Sequence, residues 1–227
     1  MNTIAENIQQ IIEQIHEFEQ SYNRPEGSVT LLAVSKKQPI DKILQAHKAG
    51  IRDFGENYLQ EAEEKISQLV DLDINWHFIG PIQSNKTRAI ADLFQWVHSV
   101  DRLKIARRLS DQRNSLLPPL NVCIQVNLSG EETKSGISID EVENLCNEVA
   151  KLPNLHLRGL MTIPAPTEDF TGQRQLFSAL AVTFNNLVPR FPGFDTLSMG
   201  MSGDFKAAIA EGSTVVRIGT ALFGPRM

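Results

Sequence analysis

Cysteine is scarce in this 227-residue chain: Cys123 and Cys146 are the only two, and no C-x-x-C pair is present. A disulfide scaffold and a thiolate metal site are thereby excluded, and five scattered histidines offer no spaced ligand set. One thiol lies in a strand-like run and the other in a helix-like run. Both read as buried groups of a reducing cytosol, so a cytoplasmic location is expected. Positive charge is also short, with 22 Lys and Arg against 27 Asp and Glu and a net charge of −5. That balance argues against a nucleic-acid surface and against an anionic membrane as partner. No apolar run approaches the roughly 20 residues of a membrane span. The opening MNTIAENIQQ lacks the basic and apolar regions of a signal peptide.

What recurs instead is a short apolar run, a polar or glycine-containing turn, and an amphipathic stretch. Strands are expected near 29–34, 51–54, 74–79, 95–99, 121–127, 156–162, 195–199 and 215–219. Between them lie helical stripes such as Tyr58, Leu59, Ala62, Ile66 and Leu69, or Leu176, Phe177, Leu180, Phe184 and Leu187. Asp101 is placed to cap a helix carrying Leu103, Ala106 and Leu109, and Ser138 with Glu141 forms a capping box for the next. Eight strands alternating with helices predict an α/β fold, a single (β/α)8 TIM barrel over residues 1–227. The chain ends soon after the eighth strand, with no room for an eighth helix. An extra N-terminal helix over 4–22, capped by Thr3 and Glu6 and lined by Ile4, Ile8, Ile11, Ile15 and Phe18, is expected to cover that gap.

In such barrels chemistry gathers where the strands end at their C-terminal face. Lys36 emerges there, directly after the buried-type run Val29 to Val34, and partial desolvation would free its amine for a carbonyl. Glu56 and Asn57, the GPIQSN segment, Asn127 and Thr162 occupy the next exits. LSMGMSGD, with Ser198, Gly200 and Ser202, and VRIGTALFG, with Gly219 and Thr220, follow strands seven and eight, the usual phosphate position of a barrel. The same glycines would also serve tight turns. Arg217 stands in an otherwise apolar last strand, either paired with a buried acid or donating to a ring nitrogen or phosphate. A Schiff-base lysine, an anion cradle and an arginine in one mouth suit an aldehyde with a heteroaromatic ring and a phosphate tail, and pyridoxal 5′-phosphate has that shape. An arginine facing the pyridine nitrogen would weaken the ring as an electron sink, favouring holding over carbanion chemistry.

AVSKKQP, FGENYLQE, WHFIGPIQSNK, SVDR, QVNLSGEETKSG, LRGLMTIP, LSMGMSGD and VRIGTALFG, in that order, resemble the pyridoxal-phosphate homeostasis protein family. The likeness runs from the first strand to the C-terminus, and the family's barrel is similar to the N-terminal domain of alanine racemase. The resemblance implies that Lys36 carries the cofactor as a covalent aldimine and that Arg217 faces the pyridine nitrogen. It implies that Ser198, Gly200, Ser202, Gly219 and Thr220 surround the phosphate and that Asn57 neighbours the phenolic oxygen. His77 is placed either beneath the ring or in the core, and Lys134 either at the site or in a solvated loop. The family is associated with vitamin B6 and amino- and keto-acid homeostasis, without a reaction of its own, so no catalytic residue and no metal are assigned.

Racemisation needs two bases. In racemases the second is a tyrosine from another domain, whereas this chain ends at Met227 and has only Tyr22 and Tyr58. A cofactor holder, monomeric and serving pyridoxal-phosphate-dependent apo-enzymes, is therefore expected. The alternatives are a racemase-like enzyme of small amino acids or a class I aldolase-like barrel using Lys36 on a sugar phosphate.

Overall fold

A computed structural model describes residues 3–129 and 135–224. Eight parallel strands close into a barrel in sequence order, β1 (Thr30–Val34), β2 (Asp53–Glu56), β3 (Asn75–Phe78), β4 (Trp96–Val100), β5 (Leu120–Val126), β6 (Leu155–Thr162), β7 (Thr196–Ser198) and β8 (Val215–Ile218). β8 returns to β1 with Thr30 opposite Val215 and Ala33 opposite Ile218, which removes every exposed strand edge. Two apolar layers result. Leu32, Val34, Ile79 and Val215 form a small cluster by themselves. The larger core joins strand residues such as Ala33, Phe54 and Val97 to the helices α2 (Ile40–Lys48), α3 (Leu59–Gln68), α4 (Thr87–Leu93), α5 (Leu103–Gln112), α6 (Ile139–Val149), α7 (Phe170–Leu187) and α8 (Phe205–Ala210).

The extra helix α1 (Ile4–Ser21) starts at the Thr3–Glu6 capping box that its sequence announces. Ile4, Ile8, Ile11 and Ile15 are buried, each contributing roughly 1.5–3 kcal/mol, and Phe18 packs against the same core. The helix lies against α2, α8 and a four-residue helix α9 (Thr220–Phe223). It thus covers the gap after β8 as expected, although a short helix does follow that strand. Glu19, buried at the end of α1, accepts from the amides of Gly27 (3.0 Å) and Val29 (2.8 Å) and from the Ser28 hydroxyl (3.2 Å). That carboxylate fixes the entry of β1.

Two expectations are corrected. β2 runs two residues later than 51–54, so Glu56 is its buried last residue rather than part of a loop. Arg102, not Asp101, is the N-cap of α5, and the Asp101 carboxylate accepts from the Arg102 guanidinium instead (3.0 Å). The Ser138–Glu141 box does open α6.

Candidate functional site

At the C-terminal mouth a cavity of 240 Å³ is lined by Val34, Lys36, Asn57, Ile79, Ile163, Met201, Ser202, Gly203, Arg217, Gly219 and Thr220. Larger recesses of 490 and 520 Å³ lie elsewhere, beside His156 and beside His16, but neither gathers this chemistry. Of the eight residues singled out from the sequence, Lys36, Asn57, Ser202, Arg217, Gly219 and Thr220 meet around the one cavity. Ser198 lies beneath it, fully buried at the end of β7. Gly200 forms the turn behind it: its φ is +97°, and a Cβ there would sit 2.6 Å from that of Ala208. Its absence of a side chain lets the turn pack on α8. Lys134 lies outside the described residues.

Lys36 is half-buried, and its loop is anchored from behind. The Ser35 amide donates to Gly55 O (3.0 Å), and the Ser35 hydroxyl donates to Glu56 Oε1 (2.6 Å). Lys65 Nζ of α3 donates to Ser35 O and to Glu56 Oε1, both at 2.7 Å. Lys37 adopts a left-handed φ of +57°, the turn that carries the chain from β1 towards α2. Burial pushes the Glu56 carboxyl up, against the pull of Lys65 and Ser35. Neither Glu56 nor Lys65 touches the cavity, yet both hold the backbone that presents the Lys36 amine.

Arg217 is buried on the floor. Its Nη1 donates to Ser198 Oγ (2.9 Å) and its Nη2 to Thr162 O (2.8 Å). Among the described residues it forms no ion pair, so of the two readings open from the sequence the buried acid partner is not found, and neutral acceptors hold the guanidinium. Burial lowers its pKa to about 10, with Asp204 opposing, so it remains a cation at neutral pH. On the wall, Asn57 Oδ1 is buried with no hydrogen-bond partner among the described residues. Met201 N donates to Asp204 Oδ1 (2.6 Å), and the amides of Asp204 and Phe205 return to Met201 O (3.1 and 2.9 Å). This tight turn leaves Gly203 facing open space, where a Cβ would meet nothing within 4 Å. With Gly219 and Thr220 opposite, the opening suits an anionic group.

His77 does not line the cavity. It is buried inside the barrel, 2.9 Å from His98 through Nδ1 and 3.0 Å from Asp53 through Nε2. His98, which no sequence motif marked, reaches Ser198 Oγ through Nδ1 (2.8 Å). Burial lowers the pKa of both imidazoles, that of His98 further because His77 and Arg217 adjoin it. Cys123 and Cys146 are both buried free thiols, pushed up by burial, Cys146 to about 12.

A lysine amine, a buried cation and the glycine-bearing loops after β7 and β8 thus converge on one recess. The sequence matches the family described as alanine racemase, N-terminal domain, over residues 5–227. It is 59% identical over 226 residues to the pyridoxal phosphate homeostasis protein of Pseudomonas aeruginosa, covering 100% of this chain and 97% of the relative. This chain belongs to the pyridoxal phosphate homeostasis protein family. The relative of the same name in Escherichia coli (strain K12) is 52% identical, covering 100% of this chain and 98% of the relative. PipY of Synechococcus elongatus PCC7942, solved with PLP bound, superposes with a TM-score of 0.86 at 36% identity, covering 98% of this chain and 100% of PipY. Alanine racemase of Corynebacterium glutamicum shares the fold at a TM-score of 0.66 and 20% identity, with 98% of this chain matching 60% of that one. Among the described residues no helix is long and apolar enough to cross a membrane, and no group of His, Cys, Asp or Glu could hold a metal ion.

Proposed function

We propose that this chain binds pyridoxal 5′-phosphate in the 240 Å³ cavity and serves vitamin B6 and amino- and keto-acid homeostasis as a holder of the cofactor. The meeting of Lys36, Arg217 and the two loops after β7 and β8 in one recess carries this reading. Bound there, the cofactor supplies an aldehyde carbon for an amine and a ring able to take up electron density. Lys36 would hold the group covalently through its Nζ, with the aldehyde oxygen lost as water. Arg217 would face the ring nitrogen and Asn57 the phenolic oxygen. Ser202, Gly203, Gly219 and Thr220 receive the phosphate. Ser198 acts from below by positioning Arg217, and Gly200 shapes the turn.

A holding role is supported by the lining itself. Among the described residues around the cavity, Lys36 and Arg217 are the ionisable groups, with no carboxylate, imidazole or phenol to act as an opposing base. Tyr58 sits at the N-cap of α3, half exposed on a neighbouring groove, and Tyr22 caps the far end of α1. The chain acts as one cytoplasmic, monomeric unit that serves apo-enzymes dependent on the cofactor. Incubation with a panel of D- and L-amino acids tests this reading. Slow exchange without turnover is expected, and turnover at roughly 1 per second or faster would establish an enzyme instead.

A further inference from the structure

A file of buried polar side chains runs through the barrel from the floor of the cavity to the opposite mouth. Arg217 Nη1 lies 2.9 Å from Ser198 Oγ, which lies 2.8 Å from His98 Nδ1; His98 Nε2 lies 2.9 Å from His77 Nδ1, and His77 Nε2 lies 3.0 Å from Asp53 Oδ1. Ser198 and His98 have no exposure, His77 has 4%, and Asp53 ends the file in a recess at the N-terminal mouth with its side chain 26% exposed.

The proton positions follow from donor chemistry. A guanidinium only donates, so Ser198 Oγ accepts from Arg217. The Ser198 oxygen keeps a second lone pair, so the far end of the file decides. The Asp53 carboxylate only accepts and each neutral imidazole carries one proton, and the Ser198 hydroxyl therefore donates to a bare His98 Nδ1. Burial keeps His98 neutral, so its single proton sits on Nε2 and is donated to His77 Nδ1. His77 in turn holds its proton on Nε2 and donates it to the Asp53 carboxylate, the only order in which all four bonds form at once. The file starts at a buried cation and ends at a carboxylate near water, so each bond is polarised in the same sense. His77 is held flat against Trp96, with ring centroids 5.4 Å apart and planes 7° apart. The Arg158 guanidinium also lies over the Trp96 ring (4.7 Å) and is itself paired with Asp195 (2.7 Å).

We propose that Asp53, His77 and His98 are positioning residues, which through Ser198 fix the orientation of the Arg217 guanidinium under the cavity. A carboxylate at one end of the barrel thereby governs how tightly the ring is held at the other. The proposal rests on the reading that pyridoxal phosphate lies over Arg217. Its first test does not. In ¹⁵N-labelled protein without cofactor, both imidazoles are expected as the neutral form protonated on Nε2, and a proton on Nδ1 of either ring would overturn the file. The second test measures retention of pyridoxal phosphate. Asp53→Asn keeps an acceptor and should stay within about twofold of wild type, whereas Asp53→Leu and His98→Phe should each weaken retention roughly tenfold. In a Ser198→Ala background, which severs the file, Asp53→Leu should have no further effect. Additive losses in that cycle, with the fold verified by circular dichroism, would contradict the proposal.

Discussion

Acidification should remove stability from this protein through two imidazoles that its barrel keeps neutral. Burial holds the folded-state pKa of both His77 and His98 below the ordinary value of 6.5. Below that value the unfolded chain takes up a proton on each ring, whereas the folded chain does so only at lower pH. Stability is therefore fully present above about pH 6.5 and falls as the pH drops. Between about pH 7.5 and pH 5.5 the loss is at most about 1.4 kcal/mol per histidine, reached only where the folded ring stays unprotonated throughout, and so at most about 2.8 kcal/mol for the pair. For a chain of this size that upper value corresponds to a fall of about 5–10 °C in Tm. Glu56, whose pKa burial raises, acts in the opposite sense, since its protonated form is favoured by folding. Urea unfolding of wild type and His98→Asn at both pH values cancels that contribution. The variant should lose less than wild type over the same interval, by up to about 1.4 kcal/mol. Equal losses in the two proteins would refute the assignment of neutral, buried imidazoles.

Two further outcomes follow from burial and from open space. Cys123 and Cys146, with thiol pKa values pushed up by burial, should resist Ellman's reagent in the native protein and both react once it is unfolded in guanidinium; native labelling would show that the barrel opens readily. Gly203 faces open space, so Gly203→Asp should change stability by less than about 0.5 kcal/mol while weakening retention of the phosphate-bearing ligand at least roughly tenfold by like-charge repulsion. Unaltered retention, measured by equilibrium dialysis, would remove this turn from the anion site.

The barrel was legible because its strands are apolar runs at regular spacing, and because loops after the last two strands hold predictable places around the mouth. Lys36, Arg217, Gly219 and Thr220 followed from that geometry. β2 was misplaced because Ile51 and Phe54 look like the strand, whereas the buried Glu56 looks like a loop until Lys65 of α3 is seen bonded to it. Lys65 itself resembles any solvated helix lysine in the sequence, yet it has 5% exposure. Ser198 was expected at the phosphate, but its hydroxyl points down the barrel to His98 and Arg217; in a strand of three residues a shift of one position reverses the face. For His77, alternation along β3 left two faces open. Its partnership with His98 and, through it, with Ser198 joins residues 21 and 100 positions apart, contacts that no local pattern carries.

Reduction with borohydride in the presence of pyridoxal phosphate, followed by peptide mass mapping, addresses the covalent attachment itself. The phosphopyridoxyl label should fall on the AVSKKQP peptide at Lys36, and Lys36→Ala should stay folded, unlabelled and without the absorbance near roughly 420 nm that such a Schiff base gives. A label on another lysine, or a wild-type protein that remains colourless and unlabelled, would contradict the account.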